Sequence, residues 1–362
     1  MQMRLVVDGF GKFIGKSGNL IVIREKEKGK VKREGKEKKY KKTKTKKVDP
    51  SELTQVIVSG RVSLSTDAIE LLLKNAIDVV FINKRGDISG RLSHPLIGMA
   101  NTRREQYLAY NDERSVFLSR EFILAKLRNQ MAVLSNLAKA RKESKKDVAR
   151  AIMYERSKIE EAIHMLAKVK GTRIEEVREE MLGIEGKASN HYWDAVKLIF
   201  PSEYRFYGRR GLDQKHSRYA QDIINAMLNY GYAILHSECI RAVELAGLDP
   251  YAGFLHCDRS GRTSLALDLI EEFRQQIVDK AVIKLISYKQ IKHDECEFEN
   301  FVCILKDKAR KKLLKEVLER LEKKTQYAGR NITYSSIIHA QARRIAKFLR
   351  GKGKYEGFWQ RW

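Results

Sequence analysis

Ser93-His94-Pro95-Leu96-Ile97-Gly98 divides this 362-residue sequence into two kinds of pattern. On its N-terminal side, Leu5-Val6-Val7, Asn19-Leu20-Ile21-Val22-Ile23, Gln55-Val56-Ile57-Val58 and Val79-Val80-Phe81-Ile82 are short runs rich in β-branched residues. Gly, Asn, Asp and Ser bound them, as they bound strands. Residues 65–74, opened by Ser65, read as one capped helix between two of these strands. From about Asn101 onward the apolar spacing turns helical and stays so. Residues 111–145, 146–169, 174–181, 185–198, 218–246, 264–287, 297–324 and 334–349 are the predicted helices. The chain is long enough for two cores. It reads as an α+β protein, with a β-rich domain over 1–95 followed by a larger all-α domain over 101–362. No internal repeat and no sustained heptad pattern interrupts that division.

Lys and Arg number 72 against 46 Asp and Glu, for a net charge of +26. Such an excess repels itself unless a polyanion meets it, so nucleic acid is the first partner to consider and an anionic membrane the second. Residues 24–47 concentrate the charge in a Lys-rich run. Two readings stay open for this insert: non-specific phosphate contact, or a solvated loop. No stretch approaches about 18 uncharged apolar residues, and the first residues lack a long apolar segment, so neither a membrane span nor a signal peptide is expected. Four cysteines without a Cys-x-x-Cys pair suit a reducing cytoplasm. Gly15-Lys16-Ser17 invites a phosphate-loop reading. Phe10 stands where that motif needs glycine, and a strand follows rather than a helix, so the reading is rejected.

The chemistry concentrates near residue 260. Ser264-Leu265-Ala266-Leu267-Asp268-Leu269-Ile270-Glu271-Glu272-Phe273-Arg274 puts Leu265, Leu269, Ile270 and Phe273 on one helix face and Asp268, Glu271 and Glu272 on the other. Leu255-His256 precedes it, followed by a turn composition at Asp258-Arg259-Ser260-Gly261. An imidazole with stacked carboxylates suits Mg or Mn; a solvated acidic face beside a surface histidine is the alternative. Glu185-Gly186-Lys187-Ala188-Ser189-Asn190-His191-Tyr192-Trp193 opens a predicted helix, where Glu185 also suits the helix dipole. Tyr204-Arg205-Phe206-Tyr207-Gly208-Arg209-Arg210 interleaves cations and aromatics, as a surface that holds phosphates and stacks bases does. The His-Glu-x-x-His signature of zinc proteases is absent.

Taken in order, these stretches resemble the integrase of CRISPR adaptation, the Cas-one family. Val58-Ser59-Gly60-Arg61-Val62-Ser63-Leu64-Ser65, Lys126 with Asn129-Gln130, Glu185-Gly186 with Tyr192-Trp193, and Leu228-Asn229-Tyr230-Gly231-Tyr232 carry the likeness. So do Gly253-Phe254-Leu255-His256, the run from Leu265 to Arg274, and the tail Tyr355-Glu356-Gly357-Phe358. The resemblance implies a β-domain that mediates homodimerisation and a helical catalytic domain. It implies a divalent metal, Mg2+ or Mn2+, held by Glu185, His256 and Glu271, with Asp268 as a further catalytic acid and the close second for direct contact. It also implies integration of short foreign DNA into a CRISPR array, cleavage of branched DNA, and a small second adaptation protein that bridges two dimers. Tyr192, Arg209 and Arg210 are the expected DNA contacts. A catalytically silent, basic DNA-binding assembly subunit is the alternative. Gln275 departs from the proline that often follows Glu-Glu-Phe-Arg in the family.

Overall fold

A computed structural model describes residues 3–33, 36–83, 88–93, 100–209, 219–299 and 302–360. The chain separates into two compact units, Met1–Pro95 and Leu96–Trp362. Apart from Ser93, the boundary expected across 93–98 lies outside the described residues.

The first unit runs β1 (Met3–Asp8), β2 (Lys12–Ser17), β3 (Leu20–Arg33), β4 (Lys36–Val48), β5 (Leu53–Ser59), β6 (Val62–Leu64), α1 (Thr66–Lys74), β7 (Asp78–Ile82) and β8 (Ile88–Leu92). The strands form two four-stranded sheets, β1-β5-β7-β8 and β4-β3-β2-β6. β5 pairs parallel with both β1 and β7. Buried on both faces, its Val56, Ile57 and Val58 form the continuous apolar run that such strands require. Leu5, Val7, Val56 and Val79 of one sheet share a core with Ile14, Ile21 and Val48 of the other and with Ala68 and Leu72 of α1. Ser65 caps α1 by accepting from the Ala68 N–H at 3.3 Å. Gly60, at φ +89, lies so close to the neighbouring turn that a Cβ there would stand 2.7 Å from the Gly9 carbonyl oxygen.

The second unit contains α2 (Ala100–Ala109), α3 (Glu113–Lys139), α4 (Lys146–Leu166), α5 (Ile174–Lys197), α6 (Ile223–Leu245), α7 (Ser264–Ile270), a π-helical turn (Gln275–Asp279) and α8 (Lys280–Ser287). β9 (Cys296–Glu299), β10 (Val302–Leu305), α9 (Asp307–Glu322), β11 (Lys324–Tyr327), β12 (Arg330–Thr333) and α10 (Tyr334–Leu349) complete it. α3, α4 and α5 bury Leu127, Leu134, Ile152, Ile159, Met181 and Ala188 against one another. The helices expected at 174–181 and 185–198 are one element, because Met181, Ile184 and Ala188 carry the buried stripe across the glycines. The expected helix at 297–324 is corrected at its start. Val302-Cys303-Ile304-Leu305 is fully buried and pairs antiparallel with Cys296–Glu299, so the unit is not purely helical. A four-residue apolar run carries no period that separates strand from helix. Among the described residues, no helix is long and apolar enough to cross a membrane, and all four cysteines are free.

Candidate active site

The loop before α7 is pressed onto that helix. A Cβ on Gly253 would stand 2.6 Å from Ser264 Cβ and 3.1 Å from Asp268 Oδ2, so only glycine lets the backbone come this near. The approach lets Asp268, fully buried, take up the loop's amides. Its Oδ2 accepts from the Phe254 and Leu255 N–H groups at 2.7 and 3.2 Å, and its Oδ1 accepts from the His256 N–H at 2.9 Å. His256 Nδ1 lies 2.7 Å from the same Oδ1. A carboxylate at that distance holds the proton on Nδ1 and leaves the lone pair on Nε2, the arrangement found behind metal-binding histidines. From the other side, Arg178 Nη2 donates to the Phe254 carbonyl at 3.1 Å. Asp268 has no oxygen left over for an ion; it orients His256.

One turn further on, Glu271 meets Glu185 through a cation. Lys126 Nζ of α3 lies 2.5 Å from Glu185 Oε1 on α5 and 2.6 Å from Glu271 Oε2. Both contacts are short ion pairs, and the second holds the buried Glu271 carboxylate against the ammonium. Arg274 Nη2 approaches the second oxygen of Glu271 at 3.0 Å. Burial alone would push the Glu271 carboxyl up, but Arg274, Lys126 and His256 outweigh it and hold it down to about 2. Burial likewise disfavours the Lys126 ammonium, and Glu185 and Glu271 overcome that penalty and raise it. Glu185 is braced in turn, since Ser189 Oγ donates to its Oε1 at 2.7 Å and Gln130 Nε2 donates to Ser189 Oγ at 3.2 Å.

Beside this cluster opens a cleft of about 520 Å³ whose wall includes Lys126, Glu185, Arg209, Tyr232 and Arg274. Two guanidiniums share the Tyr232 ring, with Arg209 Cζ 5.5 Å and Arg274 Cζ 4.7 Å from its centroid. Arg209 is held by the side-chain oxygens of Asn225 and Asn229 at 2.6 and 2.9 Å. Arg274 Nε is buried without an acceptor. Tyr232 and Tyr192 both donate to Asp279, at 2.5 and 2.9 Å.

The sequence-predicted residues therefore separate into groups. Glu185 and Glu271 converge on one cation, and His256 stands close enough to act on the charge of Glu271. Asp268 lies behind His256. Arg209 lines the cleft but is already bound by two asparagines. Tyr192 is corrected: its side chain is fully buried and its hydroxyl is spent on Asp279, so it supports the cleft from within the core rather than touching DNA. Arg210 lies outside the described residues. Sequence reasoning assigned no role to Lys126, Tyr232, Arg274 or Asp279. Lys126, Tyr232 and Arg274 lie in stretches that carry the family likeness, and Arg274 also stands three residues past Glu271 on the same helical run; Asp279 carried no signal.

Among the described residues, no three His, Cys, Asp or Glu side chains already stand together as a metal-holding group. The donor chemistry nevertheless suits a divalent ion. Two carboxylates already point at one cation position, and a histidine beside them has its Nδ1 against a carboxylate, which favours the tautomer that frees Nε2.

The family model for CRISPR associated protein Cas1 matches residues 5–319. The CRISPR-associated endonuclease Cas1 of Archaeoglobus fulgidus is 58% identical over 360 residues, spanning 99% of this chain and 100% of its own. Among solved structures, a casposase bound to integration product superposes with a TM-score of 0.79 at 27% identity, covering 98% of this chain and 93% of that one. A Cas1 protein from Thermotoga maritima shares the fold, with a TM-score of 0.73 at 20% identity over 98% and 99% of the two chains. On the match of the family model and of its 58% identical relative, this chain belongs to the Cas1 family.

Proposed function

We propose that the chain is a divalent-metal-dependent DNA integrase and endonuclease of CRISPR adaptation. It inserts short foreign DNA fragments into a CRISPR array by attack of a DNA 3′-hydroxyl on a phosphodiester, and it also cleaves branched DNA. The observation that carries this reading is the convergence of Glu185 and Glu271 on one cation position beside an Asp268-oriented His256.

Glu185, His256 and Glu271 would hold Mg2+ or Mn2+, which when bound acts as a Lewis acid and lowers the pKa of a coordinated hydroxyl. Asp268 would keep the His256 proton on Nδ1 and leave Nε2 free to coordinate. Lys126 balances the two carboxylates in the ion's absence. Arg209 and Arg274 set positive charge along the cleft, where a phosphoryl group gathers negative charge in its transition state; Arg274 Nε is a donor awaiting an acceptor. With a 3′-hydroxyl as nucleophile one phosphodiester is exchanged for another and no nucleotide triphosphate is consumed. With water in its place the same residues support cleavage. The reading also takes the β unit as the homodimer surface and a small second adaptation protein as the bridge between dimers.

The test is strand transfer and cleavage on branched DNA with Mn or Mg. Glu185→Ala, His256→Ala and Glu271→Ala are each expected to lose at least about 100-fold in turnover while retaining DNA binding. If all three turn over like the parent chain, the site is misplaced and the chain is a DNA-binding assembly subunit. Lys126→Met gives a readout independent of activity. It removes the ammonium between the buried Glu271 and the partly exposed Glu185, at a cost of up to about 3 kcal/mol, and Mn should raise its melting temperature more than that of the parent. No Mn-dependent rise in either protein would sink the ion assignment.

A further inference from the structure

Strands β3 and β4 run well beyond the sheet they belong to. β2 covers β3 only from Leu20 to Glu25, whereas the β3–β4 register continues from Lys26 opposite Thr43 to Arg33 opposite Lys36. Among the described residues, these eight pairs form a ribbon of two strands without a third. At about 3.3 Å per residue it is about 26 Å long. An isolated two-stranded ribbon is marginal in water.

This ribbon's sequence makes it worse than marginal. Its sixteen positions carry ten Lys and Arg and two Glu, a net +8 of the chain's +26. The register sets Lys28 opposite Lys41, Lys30 opposite Lys39 and Arg33 opposite Lys36, against two pairs of opposite sign, Glu27 with Lys42 and Lys32 with Glu37. Like charges directly opposite one another destabilise a strand pair. Positions 26, 28, 30 and 32 and their register partners 43, 41, 39 and 37 include six lysines. The exposed Lys44, Lys46 and Lys47 continue the run to the base of the ribbon. Lysine on an edge strand also blocks aggregation, but here the charge fills both strands of the ribbon. A polyanion laid along the ribbon removes the repulsion that the register builds in.

We infer that this ribbon is an arm that grips duplex DNA through its phosphates, independently of the cleft lined by Lys126 and Arg209. The inference rests on the reading of the chain as a protein that acts on DNA. A two-stranded ribbon has the width of the major groove, and about 26 Å spans roughly three-quarters of a helical turn of about 34 Å. Lysines act as point charges on phosphate, so the arm adds affinity and orientation without reading base sequence.

The experiment measures binding of the full chain to a fluorescent DNA duplex, without divalent ion, over a series of salt concentrations. The variant carries Lys28→Gln, Lys30→Gln, Lys39→Gln and Lys41→Gln together; these changes remove two of the like-charge pairs, so folding should survive, and circular dichroism checks that it has. Each lost phosphate contact lowers the slope of log affinity against log salt by about 0.9, so the slope should become shallower by about 3 to 4, with affinity down at least about tenfold at low salt. The fourfold Lys→Arg variant should bind like the parent. An unchanged slope in a folded Gln variant overturns the arm, as does loss of binding in the Arg variant. If the parent chain itself binds duplex without salt dependence, the reading as a DNA-acting protein fails along with the arm.

Discussion

Asp279 shows how one buried carboxylate can organise a cleft it does not enter. It accepts from Tyr192 and Tyr232 at once, and Tyr232 is the ring on which Arg209 and Arg274 rest. Burial pushes its carboxyl from an ordinary 3.8 up to about 6, against the opposing pull of the two tyrosine hydroxyls. Folding therefore takes up a proton between those values. The group's contribution to stability is fully present below pH about 3.8 and is lost as pH rises through about 6. Asp279→Asn cannot ionise, so the melting temperature of the variant should change less between pH 4 and pH 6 than that of the parent. Thermal melts at the two pH values check it; parallel curves would mean that Asp279 does not titrate in that window. Glu272, pushed up to about 7 by burial, works in the same direction and is common to both proteins.

The C-terminal tail behaves as an element although it has no regular secondary structure. The Gly357 N–H donates to Glu121 Oε2 at 2.9 Å, the Phe358 N–H to Glu272 Oε2 at 2.8 Å, and the Gln360 N–H to Asn129 Oδ1 at 3.0 Å. The Tyr355 hydroxyl donates to the other oxygen of Glu272. Asn129 meanwhile donates to the Glu272 and Phe358 carbonyls, so it uses both ends of its amide to fasten α3 to the tail and to the turn that follows α7. Phe358 stacks on Phe273 with ring centroids 5.4 Å apart. The turn held in this way is the one that presents Glu271. Phe358→Ala should cost about 3–5 kcal/mol, measured by urea unfolding, and should weaken the seating of Glu271 before it affects α4. A loss under about 1 kcal/mol would show that the tail is peripheral. The π-helical turn at Gln275–Asp279 belongs to the same region; such turns recur at functional sites.

At the scale of the whole molecule, charge sets the behaviour. A net +26 raises the free energy of the compact state through self-repulsion, and the register of the β3–β4 ribbon concentrates part of that excess. Added salt screens it, with the Debye length falling from about 30 Å at about 0.01 M to about 8 Å at about 0.15 M. In the absence of DNA the melting temperature should therefore rise with potassium chloride over that range. A fall would mean that the ion pairs seen in the fold, among them Lys126 with its two glutamates, outweigh the repulsion.

The amino-acid sequence by itself determined the class of fold, because that information is periodic and local. β-branched runs precede residue 95 and helical spacing follows it, and both patterns survive in the two sheets and in α3 to α6. It failed where a signal was too short, as at Val302-Cys303-Ile304-Leu305, or where glycines concealed a continuous helix, as in α5. It also brought Asp268, Glu271 and Arg274 onto one helical run, since their spacing is local. Only the tertiary structure decided their roles. No spacing along the chain relates Lys126, Glu185 and Glu271; they meet because α3 and α5 pack together and α7 ends where they do. Nor could spacing show that Asp268 is consumed by three backbone amides and a histidine, or that Tyr192 faces a buried aspartate. The partners of a side chain are set by packing between distant segments, and that exists only once the chain has folded.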